Sequence, residues 1–460
     1  MKTKFYHVLL TFGALVTALV FSACDPLLNV NPVTQIDAST DLKTALSVRV
    51  ALTGAYDGLS NPYLWGGEAY CYSDLLGNEG DIRFRGTFQY MGEIATRTMN
   101  SLNAGPLELW NAGYSTINRA NRILTVIDTL PATEHPLVRG QALFIRSVAY
   151  FEMVKLFGKA WGDGDNTTNP GVPILLTPSQ IFQTGVLAET EKPRRSSVAD
   201  VYARIIADLT EAETLLPTTS EPMRANKATA AAVLARVYLL QGNFAAARDA
   251  ANRVITTNRY SLAPAFNECF RETLPGFATE TIFRIPITEQ DGVNQLQVFY
   301  GAAPGGRRDM EILAGHLTKY ETGDFRRTYF FGTRRLTSKW SDQFGDIPVI
   351  RIAEMFLTRA ECNARLNTSI GATPAEDLNR IRRRVGLPEI ANPTVDNILR
   401  ERRNELAFEG HWLHDRRRTR TNIVAGTTTV PFNANILVFP IPNREVIANT
   451  NLVQNPGYTD

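Results

Sequence analysis

The sequence contains few cysteines and histidines, and this scarcity limits the chemistry that it can support. Four cysteines and five histidines occur among its 460 residues. Cys71, Cys269 and Cys362 are far apart in the chain, and Cys24 follows an apolar leader. A disulfide scaffold or a zinc ribbon needs paired, closely spaced cysteines. The sequence therefore predicts neither of these structures.

An excess of charge of one sign is also lacking. The chain has 48 basic and 46 acidic residues. Removal of residues 1–23 would take away Lys2 and Lys4 and no acid, which would leave 46 basic and 46 acidic residues. A neutral chain has no general electrostatic attraction for nucleic acid. We therefore expect no nucleic-acid partner.

The one long apolar run lies at the beginning of the chain. Val8–Phe21 is shorter than the about 20 residues that span a membrane comfortably. It ends in Phe21-Ser22-Ala23-Cys24, which resembles a bacterial lipobox. We expect residues 1–23 to be a lipoprotein signal peptide, Cys24 to be acylated, and residues 24–40 to be a tether. An ordinary signal peptide with a chance cysteine and a transmembrane anchor are the alternatives.

Catalytic and metal-binding motifs are missing as well. No Gly-x-Ser-x-Gly elbow, His-Glu-x-x-His or glycine-rich phosphate loop is present, so the sequence predicts no enzyme activity and no cofactor. The run from Asp163 to Asn166 begins like a calcium loop, but Ile174 stands where the bidentate acid should be. His411 and His414 lie close together, yet they fit a hydrogen-bonded helix terminus better than a metal site. We predict no metal site, and a looser calcium site in the Asp163–Asn166 loop is the alternative.

The stretch Asn226–Tyr260 has the periodicity of a helical hairpin. Val233, Val237 and Leu240 recur at i, i+4 and i+7, which gives one apolar face. Gly242 is the expected left-handed stop between the two helices. The pattern Leu-Ala-x-x-Tyr, followed by Gly-x-Phe-x-x-Ala, resembles a tetratricopeptide repeat. One such hairpin cannot bury its own face, so we expect others to stack on it.

The same helical spacing recurs in pairs elsewhere. Leu107–Leu130 and Pro136–Gly158 predict a second hairpin, and Val349–Leu366 with a helix beginning at Pro374 predicts a third. The predicted fold class is mainly α. Tetratricopeptide-like hairpins would form a curved scaffold, an α-α superhelix, within a single domain over residues 41–460.

Two long insertions interrupt this helical pattern, at about 61–106 and 260–348. They are rich in glycine, aromatic and charged residues and show no sustained period. Short strands are predicted in the second insertion at Thr281–Ile287 and Tyr329–Lys339. Long irregular segments inside a domain are more often functional than idle. We therefore expect the insertions to form the ligand face.

Runs of arginine near the end of the chain come with acidic residues. Arg380–Arg384, Arg400–Arg403 and Arg416–Arg420 are interleaved with glutamates such as Glu401 and Glu405. Spacings of three and four residues suit ion pairs on one helix or between helices. We therefore interpret these runs as surface or interhelical pairs.

Aromatic and polar side chains of the insertions are the candidate ligand-binding residues. Aromatic rings can stack on the flat apolar faces of sugar rings and other ligands, and Asn, Asp and Arg can bind hydroxyl groups. The alternative is that several of these rings form the core of the insertions. The predicted ligand-binding residues are Tyr63, Trp65, Tyr70, Asn78, Asp81, Arg83, Tyr300 and Trp340.

Six stretches of the sequence occur together in an order typical of one family. They are Leu109–Leu124, Arg139–Gly158, Val349–Ala364, Leu378–Leu387, Arg400–Arg417 and Phe439–Tyr458. In this combination the chain resembles the SusD/RagB family of outer-membrane nutrient-binding lipoproteins of Bacteroidetes. One departure is clear, because Trp412 follows His411 directly where the family usually has an intervening arginine.

The resemblance implies a function as well as a fold. Members of the family are surface lipoproteins on a tetratricopeptide-like scaffold, and they bind oligosaccharides or sometimes peptides without chemistry. They pass these ligands to a SusC-like TonB-dependent transporter in the outer membrane. The alternative function is a surface scaffold or adaptor protein whose repeats bind only a protein partner.

Overall fold

Helices dominate the computed structural model, which describes residues 42–178, 192–290, 292–333 and 335–458. The predicted signal peptide, Cys24 and the tether lie outside the described residues. The helices are α1 (Ala45–Ser60), α2 (Glu68–Leu76), α3 (Gln89–Thr96), α4 (Ala104–Thr125), α5 (His135–Phe157), α6 (Val198–Leu215), α7 (Lys227–Leu240), α8 (Phe244–Ile255), α9 (Pro275–Glu280), α10 (Gln295–Tyr300), α11 (Ala314–Leu317), α12 (Ile352–Leu366), α13 (Pro374–Arg384), α14 (Val395–Glu405), α15 (Trp412–Arg418) and α16 (Asn443–Ala448). The strands are β1 (Ile82–Phe84), β2 (Thr281–Ile285), β3 (Met310–Ile312), β4 (Phe330–Phe331), β5 (Leu336–Thr337), β6 (Ile347–Arg351), β7 (Ile423–Ala425) and β8 (Thr428–Val430).

The hairpin predicted within Asn226–Tyr260 is formed by α7 and α8. The side chain of Asn226 caps α7 by accepting a hydrogen bond from the backbone N–H of Thr229 at 2.9 Å, and this satisfies an N–H of the first turn. Gly242 has a φ of 71°, a left-handed conformation that glycine adopts without steric cost. The predicted hairpin is confirmed. Its first helix is buried more widely than one apolar face, because it packs against both α6 and α8.

Further hairpins pack on either side of this pair. Helix α4 packs on α5, α5 on α6, α6 on α7, α8 on α12, and α12 on both α13 and α14. Thr373 and Glu376 form a capping box at the start of α13, where Pro374 occupies the first turn, as expected for a helix start. The hairpins α4–α5 and α12–α13 and the mainly helical fold class are confirmed. We call these stacked helices, α4 to α8 and α12 to α14, the frame.

The insertions contain more regular structure than their lack of periodicity predicts. Helices α2 and α3 lie in the first insertion, and they are only nine and eight residues long. So few residues leave little room for a recognisable period. In the second insertion, β2 lies within the predicted Thr281–Ile287 and pairs with β6, and β4 pairs with β5 inside Tyr329–Lys339. The two strand predictions are therefore confirmed.

A cluster of buried ion pairs connects the second insertion to the frame. Arg351 is fully buried and lies 2.6 Å from Glu280, 3.0 Å from Glu405 and 2.8 Å from Glu409. Glu405 also pairs with Arg384 of α13 at 2.5 Å. A glutamate interleaved with the predicted arginine runs thus forms an interhelical pair, and here this pair is buried. The buried ion cluster consists of Glu280, Asp324, Arg326, Lys339, Arg351, Arg384, Glu401, Glu405 and Glu409.

The chain from Thr44 onward forms one compact unit. Within the described ranges, no helix combines the length and the apolar character needed to cross a membrane. Cys71, Cys269 and Cys362 are free thiols in the interior.

Candidate ligand-binding site

The two insertions meet in a short antiparallel ladder between β1 and β3. Ile82 lies opposite Ile312, and Arg83 lies opposite Glu311. Backbone hydrogen bonds of 2.7 Å extend the ladder beyond both ends. Segments more than 200 residues apart in sequence therefore share one surface, and its outward side is determined by the two-residue alternation of the strands.

One side of this ladder is buried and the other is charged. Ile82 and Ile312 are buried below it, whereas the side chain of Arg83 is 55% exposed above it. Glu311 lies between two arginines, 2.5 Å from Nε of Arg85 and 3.9 Å from Nε of Arg83. The outward side thus offers guanidinium donors and a carboxylate acceptor to a polar ligand.

An exposed aromatic ring lies next to this charged surface. Phe88 is 37% exposed, and Cζ of Arg307 lies 4.4 Å from its ring centroid. Arg307 is held in place by hydrogen bonds to Asp309 (2.7 Å) and to the hydroxyl of Thr87 (3.0 Å). Phe88 also contacts two further rings. We call Phe88, Tyr90, Phe299 and Arg307 the Phe88 platform, and we call the platform with the outward side of the ladder the insertion face.

A buried carboxyl supports the Phe88 platform from below. Oε2 of Glu68 accepts hydrogen bonds from the hydroxyls of Tyr72 at 2.7 Å and Tyr90 at 3.1 Å. Burial raises the pKa of Glu68 to about 7, although these two hydrogen bonds act in the opposite direction. The positions of the rings on the platform are therefore determined by hydrogen bonds as well as by packing.

The predicted aromatic residues Trp65, Tyr300 and Trp340 lie in the interior. Nε1 of Trp65 donates to Glu152 at 3.0 Å, the hydroxyl of Tyr300 donates to Asp74 at 2.9 Å, and Nε1 of Trp340 donates to the carbonyl of Phe408 at 3.2 Å. All three side chains are at most 2% exposed. The expectation that these rings present a face to a ligand is corrected, because frame and insertion residues cover them.

The other predicted site residues divide into buried and accessible positions. Tyr70 is buried, and the amide of Asn78 is half-buried and bonded to the backbone of Ile82 and Asp81. These two are therefore structural in this fold, which corrects the expectation for them as well. Tyr63 is partly exposed, and Arg83 is exposed on the insertion face.

Asp81 lies at the base of a charged cluster. Its carboxylate accepts from Nδ1 of His316 at 2.9 Å, and it pairs with Lys319 at 2.7 Å and Arg403 at 2.6 Å. Burial would raise the pKa of Asp81, but the hydrogen bond from His316 and the neighbouring cations outweigh this effect and hold it low. Burial lowers the pKa of His316. Asp81 is thus an ionised, fully paired group, which corrects its prediction as a direct ligand contact.

The accessible residues Arg85, Phe88 and Arg307, and the mostly buried Glu311 beside them, are not among the predicted site residues. A local signal for part of the face exists, because Ile82-Arg83-Phe84-Arg85 alternates apolar and basic residues as a half-buried strand does. No comparable signal distinguishes Phe88 from the other phenylalanines, since its exposure depends on where the second insertion packs.

The two weak metal candidates are occupied by protein contacts. Oδ1 of Asp165 accepts from the N–H of Thr167 at 2.9 Å and from its hydroxyl at 2.7 Å. Nδ1 of His411 lies 3.3 Å from a guanidinium nitrogen of Arg402. Within the ranges that the structure describes, no group of three or more His, Cys, Asp or Glu side chains is placed to hold a metal ion.

Asp74 and Tyr300 form a second link between the insertions. Both are fully buried, and the hydroxyl of Tyr300 donates to Oδ2 of Asp74. Burial raises the pKa of Asp74 to about 8, although the Tyr300 hydrogen bond and the charge of Lys339 lower it. Asp74 is therefore mostly protonated at neutral pH in the folded protein.

This buried acid makes stability depend on pH. Between about pH 4, where an unfolded Asp titrates, and pH 8, the folded state binds a proton that the unfolded state has released. The free energy of unfolding should therefore fall as pH rises, by up to about 1.4 kcal/mol per pH unit from this group. Asp74→Asn keeps an acceptor for Tyr300 and should remove this part of the slope. Urea denaturation of both proteins at several pH values checks this, and equal slopes would contradict it.

Comparison with known proteins identifies the class to which this fold belongs. A family model described as "Starch-binding associating with outer membrane" matches residues 67–239, and the SusD family model matches residues 325–458. SusD-like protein P2 of Formosa agariphila is 27% identical, over 98% of this chain and 99% of that protein. These matches include both insertion and frame segments.

Solved structures agree with this result. A putative sugar binding protein from Bacteroides vulgatus superposes with a TM-score of 0.79 at 25% identity, over 90% of this chain and 99% of its own. A laminarin binding SusD-like protein superposes with a TM-score of 0.75 at 22% identity, over 90% of this chain and 100% of its own. The chain belongs to the SusD/RagB family.

Proposed function

We propose that this protein captures an oligosaccharide on its insertion face and delivers it to a SusC-like TonB-dependent transporter. Family membership supports the proposal, as do the names of two structural neighbours, one a putative sugar binding protein and one laminarin binding. A peptide is the alternative ligand that the family leaves open. Capture and release require binding without turnover, so we propose no enzyme activity.

The Phe88 platform is the observation that carries the ligand proposal. A sugar ring has an apolar face that can lie on an exposed aromatic ring, and hydroxyls at its edge that can bond to charged side chains. Phe88 offers the ring, and Arg83, Arg85 and Glu311 offer donors and an acceptor on the adjoining ladder. Tyr63 remains a proposed contact because it is partly exposed.

We also propose that the protein is attached to the outer membrane through an acylated Cys24. The lipobox-like sequence before Cys24 supports this location, and one matching family model is described as associating with the outer membrane. An acyl chain anchors a protein at a membrane surface without a spanning helix. Labelling with a radioactive fatty acid should be lost in Cys24→Ala.

Phe88→Ala should weaken oligosaccharide binding by about tenfold, because truncation of an aromatic anchor costs about 1–2 kcal/mol. Isothermal titration calorimetry of the purified protein against a panel of neutral oligosaccharides, including laminarin fragments, measures this effect. Phe325→Ala is the matched control, since Phe325 is a phenylalanine of the second insertion with a similar exposure of 44% and is not part of the insertion face. Equal affinities of the parent and Phe88→Ala would contradict the platform as the site.

The same titrations separate the adaptor alternative from ligand capture. An adaptor that binds only a protein partner would show no heat with any oligosaccharide or peptide in the panel. Chromatography of the ligand after long incubation tests for turnover, and shortened products would contradict capture without chemistry.

A further inference from the structure

A groove of about 680 Å³ lies beside the start of the ladder, and no residue of the Phe88 platform lines it. One wall is α14, another is the segment Thr318–Glu321 after α11, and a third is α15 with the turn that follows it. Glu79, just before β1, contributes to the lining. The volume is within the range of small-molecule sites, about 300–1,000 Å³.

Three cations meet two carboxylates at the inner end of this groove. Arg403 bonds to both Glu79 and Asp81, and Arg416 bonds to Glu79 at 2.7 Å. Nζ of Lys319 lies 2.7 Å from Asp81 and 3.7 Å from Glu79. These five side chains carry one positive charge in excess. Burial and the charge of Arg403 lower the pKa of both Lys319 and Arg416, so the cations disfavour one another.

The other charges of the lining do not cancel this excess. Glu321 and Asp415 each pair with a buried arginine that does not line the groove. Arg400 and Asp396 are exposed and carry opposite charges, and Arg400 also lies 3.3 Å from Glu321. The positive excess is therefore localised among the cations around Glu79 and Asp81.

Donors in the groove lining also lack acceptors. Nε of Arg403 and Nε1 of Trp412 are buried N–H groups without a hydrogen-bond partner in the described part of the chain, against one buried acceptor of the lining, Oδ1 of Asn404, that also lacks one there. A buried donor without a partner costs about 1–3 kcal/mol. Lys319 and Arg416 keep 28% and 26% of their side chains exposed. A ligand that brings acceptor atoms and negative charge would compensate both features.

We propose that this groove binds an oxyanion, the carboxylate or sulfate group of an acidic saccharide. Arg416 and Lys319 supply the accessible charge, and the excess charge with the unpaired N–H groups favours an anion over a neutral sugar. The groove is a second site, distinct from the Phe88 platform. Binding in the groove would allow the protein to select acidic saccharides, whereas the Phe88 platform would contact the apolar face of a sugar ring.

The test compares an acidic with a neutral ligand. Titration of the purified protein with an oligogalacturonate should show binding that weakens by about tenfold in Arg416→Gln, equivalent to the loss of about 1.4 kcal/mol. Arg420→Gln is the matched control, because Arg420 carries the same charge four residues away and does not line the groove. Arg400→Gln, at an exposed position of the lining, should produce a smaller loss in the same direction.

Sodium sulfate separates oxyanion recognition from recognition of the sugar ring. Excess sulfate at constant ionic strength should compete with oligogalacturonate. Unchanged affinity in sulfate, or equal affinities of the parent, Arg416→Gln and Arg420→Gln, would overturn the proposal. Neutral oligosaccharides are titrated in parallel, and failure of the parent to bind them contradicts the Phe88 platform alone.

Discussion

Replacement of Arg351 by methionine is expected to lower the free energy of unfolding by about 3–5 kcal/mol. Arg351 is fully buried among Glu280, Glu405 and Glu409. Methionine is of similar length and fills much of the same space, so the loss reflects mainly the buried negative charge that Arg384 and Lys339 must then balance without Arg351. Removal of one partner of a buried pair leaves charge that water cannot solvate. Urea denaturation followed by circular dichroism measures the change.

Arg383→Met is the matched control for this experiment. Arg383 lies on α13, and its pairing with Glu389 leaves both side chains more than half exposed. Exposed pairs contribute about 0–1 kcal/mol, so little stability should be lost. A double-mutant cycle adds a second check. Glu405→Gln should destabilise the Arg351→Met protein less than the parent, because it removes one of the buried negative charges that Arg351 no longer balances. Equal losses for Arg351→Met and Arg383→Met would contradict this account.

The frame could be predicted from the sequence because the patterns that specify its helices are local. The spacing of Val233 and Val237 and the stop at Gly242 act within a few residues of one another, and the structure forms the hairpin that they indicate. The capping pattern of Thr373, Pro374 and Glu376 likewise marks the start of α13. Helical periodicity and caps need no knowledge of the distant chain.

The exposed side of the insertions could not be predicted in the same way. Whether an aromatic ring is covered depends on partners far away in sequence, as with Tyr300 and Asp74, which are 226 residues apart. A Trp or Tyr in an irregular segment reads equally well as core or as ligand contact, because each ring has an apolar body and a polar atom. Most of the predicted rings satisfied that polar atom inside the fold. Phe88 has no polar atom, and it stays partly exposed.

The same difference between local and distant information applies to the charged residues. The arginine runs gave a correct indication of ion pairs because opposite charges recur at helical spacing. Their burial was not predictable, since it requires the second insertion to bring Glu280 and Lys339 onto the frame. Local sequence thus predicted the arginine–glutamate ion pairs, and tertiary packing determined that they are buried.

Trp65→Ala should lower the free energy of unfolding by about 3–5 kcal/mol and leave the oligosaccharide affinity of the folded protein unchanged. Trp65 is 1% exposed, and its ring lies 5.6 Å from Phe283 and 6.4 Å from Phe144. Its indole also donates to Glu152, which is buried and would keep its pair with Lys155. The alanine variant therefore creates a cavity and removes a hydrogen bond to a charged group.

Trp65→Phe separates the effect of the cavity from that of the lost hydrogen bond, and we expect it to be more stable than Trp65→Ala. It retains an aromatic ring in the cluster and removes the N–H, so a smaller destabilisation of about 1–3 kcal/mol is expected. Thermal denaturation gives the stability of each variant, and calorimetry below the melting temperature gives the oligosaccharide affinity. A Trp65→Ala protein with parental stability and lost affinity would restore Trp65 as a ligand contact. Loss of stability at parental affinity would place it in the core that supports the insertion face, because the binding surface then survives without its indole.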